Sequence, residues 1–276
     1  MISRRNFLGL TAVTLTVLIL AVPIGCVAQT AQTRRKLPTP QKSKYLEEIA
    51  GVQIHYKTDL DIFIKSWNRH PASIKAENIS EEEIKRTSKI LRGTLGKYPH
   101  GFLEEYLKHI HTLHSLHFNG SRIGGSYSKK LKIAYITNNG RNSAEFIEGL
   151  VHHELSSILW KNFRKYFDER SWRQINPPDF EYFDDKGGTI AIKTGRNSLK
   201  GSLELYRKGF LCEYGQSNLE NDLNIFSQAM LDNDGTFWKY IEMFDKLKAK
   251  VDIVVDFYHS IDPRFTLGYF KKVSTQ

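Results

Sequence analysis

Two cysteines are all that this 276-residue chain contains, and one of them, Cys26, lies in a run without a charged side chain that extends from Phe7 to Gln32. If that run is removed or Cys26 is modified, Cys212 has no intramolecular partner and the folded part needs no disulfide. Its stability must then come from a buried apolar core. A polar tether follows over residues 29–43, with Pro38 and Pro40, and about 230 residues remain, ample for one core and large for two. No repeat, no low-complexity stretch beyond the tether and no break in composition divides residues 44–276, so a single domain is expected there.

The order Ser3-Arg4-Arg5-Asn6-Phe7-Leu8 sets a basic stretch before an apolar one that reaches about Ile24, the layout of an export segment. It resembles the twin-arginine signal of bacterial export, which implies that residues 1–28 are an export segment. An uncleaved membrane anchor is the alternative, with roughly sixteen to eighteen apolar or small residues at the lower limit for a span. Two processing chemistries compete at its end. Ile24-Gly25-Cys26 resembles a lipoprotein box with Cys26 as the lipidated first residue, although Pro23 stands where that pattern prefers leucine. Cys26-Val27-Ala28 offers small residues for an ordinary signal peptidase, with Gln29 as the new N-terminus. The expected address is the cell envelope, periplasmic or held to the membrane through a lipidated or uncleaved N-terminus. Removal of Arg4 and Arg5 lowers the formal charge from +10 to about +8, which suits an anionic surface such as phospholipid headgroups or a cell-wall polymer. Nucleic acid is not expected as a partner, because the basic residues are scattered among acids and no nucleic-acid-binding pattern is present.

Within the mature chain, Ser43 to Ala50 reads as a short helix and Val52 to Tyr56 as a strand. Ser80-Glu81-Glu82-Glu83 is a capping box that opens a helix running to about Leu95, before Tyr98-Pro99. Gly101 to Lys108 reads as a further helical turn or two. Gly124 to Tyr127 reads as a turn into a strand over Leu131 to Thr137. Asn142 or Ser143 caps a long helix from Ala144 to about Phe163, with Phe146, Leu150, His153 and Ser157 on one stripe. Residues 172–196 are loop-rich, and the rest reads as helices over Leu219 to Leu231 and Thr236 to Phe257, with a break near Lys250. Helices around a small sheet define an α+β domain.

His109, His111, His114 and His117 crowd nine residues and invite a metal reading. On a strand, His109, His111 and His117 share one face and His114 opposes them. The plainer reading is a half-exposed strand, since no acid or cysteine is close by in sequence.

The most informative internal segment is Val151-His152-His153-Glu154-Leu155-Ser156-Ser157, which sets histidine beside glutamate inside an amphipathic helix. This is the first half of an H-E-x-x-H zinc helix, in which two histidines one turn apart bind the metal and the glutamate takes a proton from metal-bound water. The fourth residue after His153 is Ser157 and the fourth after His152 is Ser156. Serine is not a usual zinc ligand, so the motif is incomplete from either start.

The surroundings nevertheless resemble the zinc metallopeptidases related to the catalytic domain of anthrax lethal factor. The resemblance runs from Tyr98-Pro99-His100-Gly101-Phe102-Leu103 through the strand 125–137 and the helix 145–159 to Tyr214-Gly215-Gln216-Ser217-Asn218-Leu219-Glu220-Asn221-Asp222, the last two thirds of the chain. Trp172, Asn176-Pro177 and Phe180-Glu181-Tyr182 are similar to the loop after the zinc helix. The resemblance implies a zincin-like fold and a zinc cofactor, with His153 and Glu220 as metal ligands, Glu154 as general base and Tyr214 as the stabiliser of an oxyanion. His152 or Asp222 would have to supply a further ligand. By residue count Asn221 best matches the glutamate position, one residue past Glu220. A competing account makes Glu220 the end of a capping box, Ser217-Asn218-Leu219-Glu220. The zincin-like reading also implies an edge strand at Leu131 to Thr137 lying across the cleft to hold an extended peptide.

No G-x-S-x-G elbow, P-loop or dinucleotide fingerprint is present. Cys212, between Leu211 and Glu213, reads as a small buried residue. Two functions are therefore expected: an exported zinc-dependent peptidase, or a non-catalytic protein that binds a peptide or cell-wall component on the same scaffold without the metal.

Overall fold

The computed structural model describes residues 44–59, 62, 63, 66–68, 73–184, 187–232 and 235–275. The segment expected to direct export, the expected tether and Cys26 lie outside the described residues. No described helix is long and apolar enough to cross a membrane.

One mixed sheet organises the chain. Its strands are β1 (Leu46–Ile49), β2 (Val52–His55), β3 (Lys75–Asn78), β4 (His109–Phe118), β5 (Ser121–Ile123), β6 (Gly125–Ser128) and β7 (Ile133–Thr137). They lie in the order β1-β2-β4-β7-β6, with β3 and β5 also paired to β4. Around it stand α1 (Glu81–Gly96), α2 (Phe102–Tyr106), α3 (Ala144–Phe163), α4 (Glu169–Ile175), α5 (Thr189–Lys193), α6 (Leu203–Lys208), α7 (Leu219–Leu231), α8 (Gly235–Met243), α9 (Asp245–Ile261) and α10 (Leu267–Val273). The α+β class expected from the sequence is the observed one.

The first expected helix is instead the strand β1. Ala50 and Gly51 both take positive φ, 50° and 77°, the backbone of a two-residue hairpin turn, and Ile49 pairs with Val52 across it. A Cβ at Gly51 would lie 2.2 Å from Cγ of Glu104. Helical propensity over Ser43 to Ala50 thus yields to turn geometry and to cross-strand bonds such as Tyr56 Oη to Glu47 Oε2 at 2.7 Å.

Two unequal cores lie on the sheet's faces. The large one joins Ile54, Ile110, Ala134 and Ile136 to helix residues such as Leu91, Val151, Leu155 and Phe226. The small one gathers Phe63, Leu113, Leu116, Ile133 and Tyr135 on the other face. Alternation along β7 sends Ile133 and Tyr135 one way and Ala134 and Ile136 the other.

The histidine-rich segment is the sheet's most connected strand rather than a half-exposed one, because β4 pairs with β2, β3, β5 and β7. His55 on β2 stacks on His111 with ring centroids 4.3 Å apart, and its Nε2 lies 3.0 Å from His109 Nδ1. His111 Nδ1 meets Thr58 Oγ1 at 2.9 Å. Burial, reinforced by His55 and His109, holds the His111 imidazole down to about 3. Between that value and the unfolded one near 6.5, the unfolded chain binds a proton that the folded chain refuses. Stability is therefore complete at neutral pH and falls as pH drops below about 6.5, by about 2 kcal/mol at pH 5 from His111 alone. Urea unfolding at pH 7 and pH 5 should show this loss, and His111→Asn should shrink it; an unchanged pH slope in the variant would contradict the account.

The long C-terminal helix is also divided differently from the expectation. The break falls at Phe244, between α8 and α9, and Lys250 lies inside α9 at 0% exposure. Its ammonium bonds Asp222 Oδ2 at 2.6 Å, so the helix runs through this position with the lysine's charge paired.

Candidate functional site: a cleft between β6 and α3

Helix α3 places the central residues. Ser143 caps it, its hydroxyl accepting the Phe146 amide at 3.1 Å, and Ile147, Val151, Leu155 and Ile158 anchor it in the large core. The stripe Phe146, Leu150, His153, Ser157 then faces a cavity of about 420 Å³ rather than the core. The far wall is β6, and Tyr214, Glu220 and Asn221 close the floor.

Strand β6 is the end strand of the sheet, while β7, expected to lie along the cleft, is sandwiched between β4 and β6. The Gly-Gly-Ser-Tyr segment reads as a turn in isolation, but it pairs antiparallel with β7, Ser126 opposite Tyr135. The Thr137 amide bonds the Gly124 carbonyl at 3.0 Å. By the alternation of an antiparallel ladder, the peptide groups of Gly124, Ser126 and Ser128 face β7, and those of Gly125 and Tyr127 face the open edge.

Glu154 lies at the base of this edge, 5% exposed. A Cβ at Gly125 would lie 2.6 Å from its Oε1, so glycine lets the carboxyl approach the strand. No described hydrogen-bond donor reaches that carboxyl. Burial, with Glu220 adding to it, pushes the carboxyl well above the usual range, because desolvation penalises the charged form. His153 stacks on Tyr214 with ring centroids 6.2 Å apart. Burial holds its imidazole down to about 4, against the opposing pull of Glu220 and a hydrogen bond with Asn221. Burial also raises the Tyr214 phenol, with Glu154 next in effect.

Glu220 does not cap α7. The cap is Asn218, whose side chain accepts the Asn221 amide at 2.8 Å, and Glu220 turns into the cleft instead. Tyr127 donates to its Oε1 at 2.7 Å, and the Lys161 ammonium lies 2.6 Å from its Oε2. Lys161 follows Ser157 by one turn and His153 by two, on the same stripe. Ser157 accepts a bond from Asn224 Nδ2 at 2.7 Å, and Asn221 Nδ2 donates to Ser217 at 2.9 Å.

Of the residues singled out in the sequence, His153, Glu154, Tyr214 and Glu220 meet in this cavity. His152 and Asp222 do not line it. His152 is fully buried with Nδ1 2.7 Å from the Tyr98 hydroxyl. Asp222 is fully buried under Tyr182, Trp172 and Lys250, which all donate to its Oδ2. Cys212 is buried, as its neighbours suggested. Tyr127 and Lys161 escaped the sequence reading. The signal for Lys161 was its spacing on the His153 stripe; Tyr127 had none, since only the fold brings it to Glu220.

The cleft fits zinc poorly. His153 is a good donor, but the two other positions of the resembled motif carry Ser157 and Asn221, whose side chains are engaged with Asn224 and Ser217. Glu220, the carboxylate that the resemblance assigns to the metal, already holds an ammonium. Among the described residues, no group of three His, Cys, Asp or Glu donors converges in the cleft.

No family model and no curated protein matches this chain. Among solved structures it is similar to a candidate zinc-binding metallo-peptidase from Bacteroides caccae, with a TM-score of 0.49 and 14% identity over 84% of this chain and 85% of that one. At that distance the likeness carries no argument about what this chain does.

Proposed function

We propose that this chain is an exported envelope protein whose cleft holds an extended peptide along the open edge of β6, without a zinc ion between His153 and Glu220. The observation that carries this reading is the Lys161 ammonium 2.6 Å from Glu220. A positive charge stands on the carboxylate that the sequence resemblance assigns to the metal, and the second position of the zinc helix is Ser157, whose hydroxyl is held by Asn224. Outward-facing peptide groups at Gly125 and Tyr127 supply the bonds of strand addition, and the cavity beside them supplies room for side chains. The envelope address rests on the twin arginines and the apolar run that follow the start of the chain, and the mass of the mature N-terminus would separate a lipidated Cys26 from a soluble form.

Hydrogen exchange tests the cleft directly. Incubation with a random decapeptide library should slow exchange of the 125–128 amides, leave the peptides uncut, and be insensitive to chelator. Chelator-sensitive cleavage of the library would establish the peptidase instead. Protection by a cell-wall glycan alone, with none from peptides, would also overturn the peptide assignment.

A further inference from the structure

A second group of donors converges on a different flank of α3. Glu148 and His152 lie one turn apart on that helix and share a face, and Asp232 is the first residue beyond α7. One oxygen from each carboxylate and a ring nitrogen of His152 lie within 4.8 Å of one another. None of the three lines the cleft cavity. We propose that Glu148, His152 and Asp232 bind a divalent cation of the zinc class. This inference is independent of the peptide reading.

One imidazole and two carboxylates are a donor set that zinc accepts, and three protein ligands leave a position for water. Ligands about 2.1 Å from a tetrahedral ion stand roughly 3.4 Å apart, so the trio closes onto an ion by small side-chain rotations. The histidine is already oriented. Tyr98 holds its Nδ1 at 2.7 Å, while Nε2 faces Glu148 Oε1 at 3.4 Å. A partner on the far ring nitrogen is the usual support of a ligating histidine. Tyr98 is itself fixed by stacking on Phe102, 6.0 Å between centroids and 4° between planes. Asp232 Oδ2 receives Gln228 Nε2 at 3.3 Å, which orients the second carboxylate.

The charges leave room for a cation. Lys97 is the ammonium of this group, 2.5 Å from Glu148 Oε1 and 2.6 Å from the Leu231 carbonyl. Among the described residues, Lys97 stands beside the carboxylates of Glu148 and Asp232. When an ion takes its place on Glu148, Lys97 keeps the Leu231 carbonyl. Side-chain exposure of 18% at Glu148 gives the ion a route from solvent, while His152 is fully enclosed.

Zinc titration of the full chain, purified without chelator and read by a competing indicator and by elemental mass spectrometry, tests the proposal. One zinc per chain is expected, retained in His153→Ala and weakened at least about tenfold in Glu148→Gln and in Asp232→Asn. These two changes preserve side-chain shape, and circular dichroism confirms that each variant is folded; His152→Ala should abolish binding. No stoichiometric zinc in the unaltered chain would overturn the site. So would zinc that disappears in His153→Ala, or zinc retained at full affinity in both amide variants.

Discussion

Lys250→Met is expected to destabilise the domain by about 3–5 kcal/mol, the cost of leaving one member of a buried ion pair without its partner. Lys250 and Asp222 are both at 0% exposure, and their charged atoms lie 2.6 Å apart. The same carboxylate oxygen takes bonds from Tyr182 Oη at 2.7 Å and Trp172 Nε1 at 3.0 Å. The ammonium also lies over the rings of Phe210 and Trp172, 4.2 and 4.7 Å from their centroids. The pair thus ties α9, α7 and α4 together beneath the cleft floor. Methionine fills the space of the lysine stem but supplies no charge, so Asp222 must bind a proton or remain buried and charged. Urea denaturation measures the loss, and Asp222→Asn added to Lys250→Met should recover part of it, because the stranded charge is then gone. A loss below about 1 kcal/mol in the single variant would show that the pair contributes nothing net, as exposed pairs do.

The second large effect is a gain. Ser157→His together with Lys161→Ala is expected to create a zinc site in the cleft, raising its affinity for zinc by at least about 100-fold over the unaltered cleft. The first change puts a second imidazole one turn after His153, the spacing at which two histidines on a helix share a metal. The second removes the ammonium that holds Glu220 Oε2, freeing a third ligand that Tyr127 still orients at 2.7 Å. Ser157 lines the cavity, so the larger side chain has space ahead of it. Neither change alone should suffice, because each leaves two protein ligands or a competing cation. The readout is zinc titration in a His152→Ala background, which removes the other candidate donor set. Equal affinity in the altered and unaltered cleft would mean that Ser157 and Lys161 are not what keeps zinc out.

Local signals wrote some of this architecture into the sequence. Both ends of α3 and of α7 are legible from a continuous apolar face, with Ser143 one of the two caps offered for α3, whereas α7 is capped by Asn218 and not through the expected Ser217–Glu220 box. The β1–β2 hairpin is not, because Ala50 gives no hint that it will take a positive φ beside Gly51. Strand β6 is hidden by the Gly124-Gly125 pair at its start, which a turn would use equally well, while the structure needs Gly125 for the close approach of Glu154. The site is legible in its helix and not in its partners. His153 and Glu154 stand out as a pair, whereas the contacts of Lys161 with Glu220 and of Lys250 with Asp222 cross 59 and 28 residues. The direction of Glu220 was decided by competition: Asn218 took the cap, and the glutamate was free to meet Tyr127 and Lys161.

On the proposed reading, the Lys161 ammonium 2.6 Å from Glu220 Oε2 stands where the sequence resemblance would place a metal. Anomalous diffraction at the zinc absorption edge, from crystals grown with excess zinc, tests it most directly. No anomalous peak is expected between His153 and Glu220, with Lys161 still on the glutamate. A peak about 2.1 Å from a His153 ring nitrogen, with Lys161 turned away, would contradict it and restore the zinc peptidase.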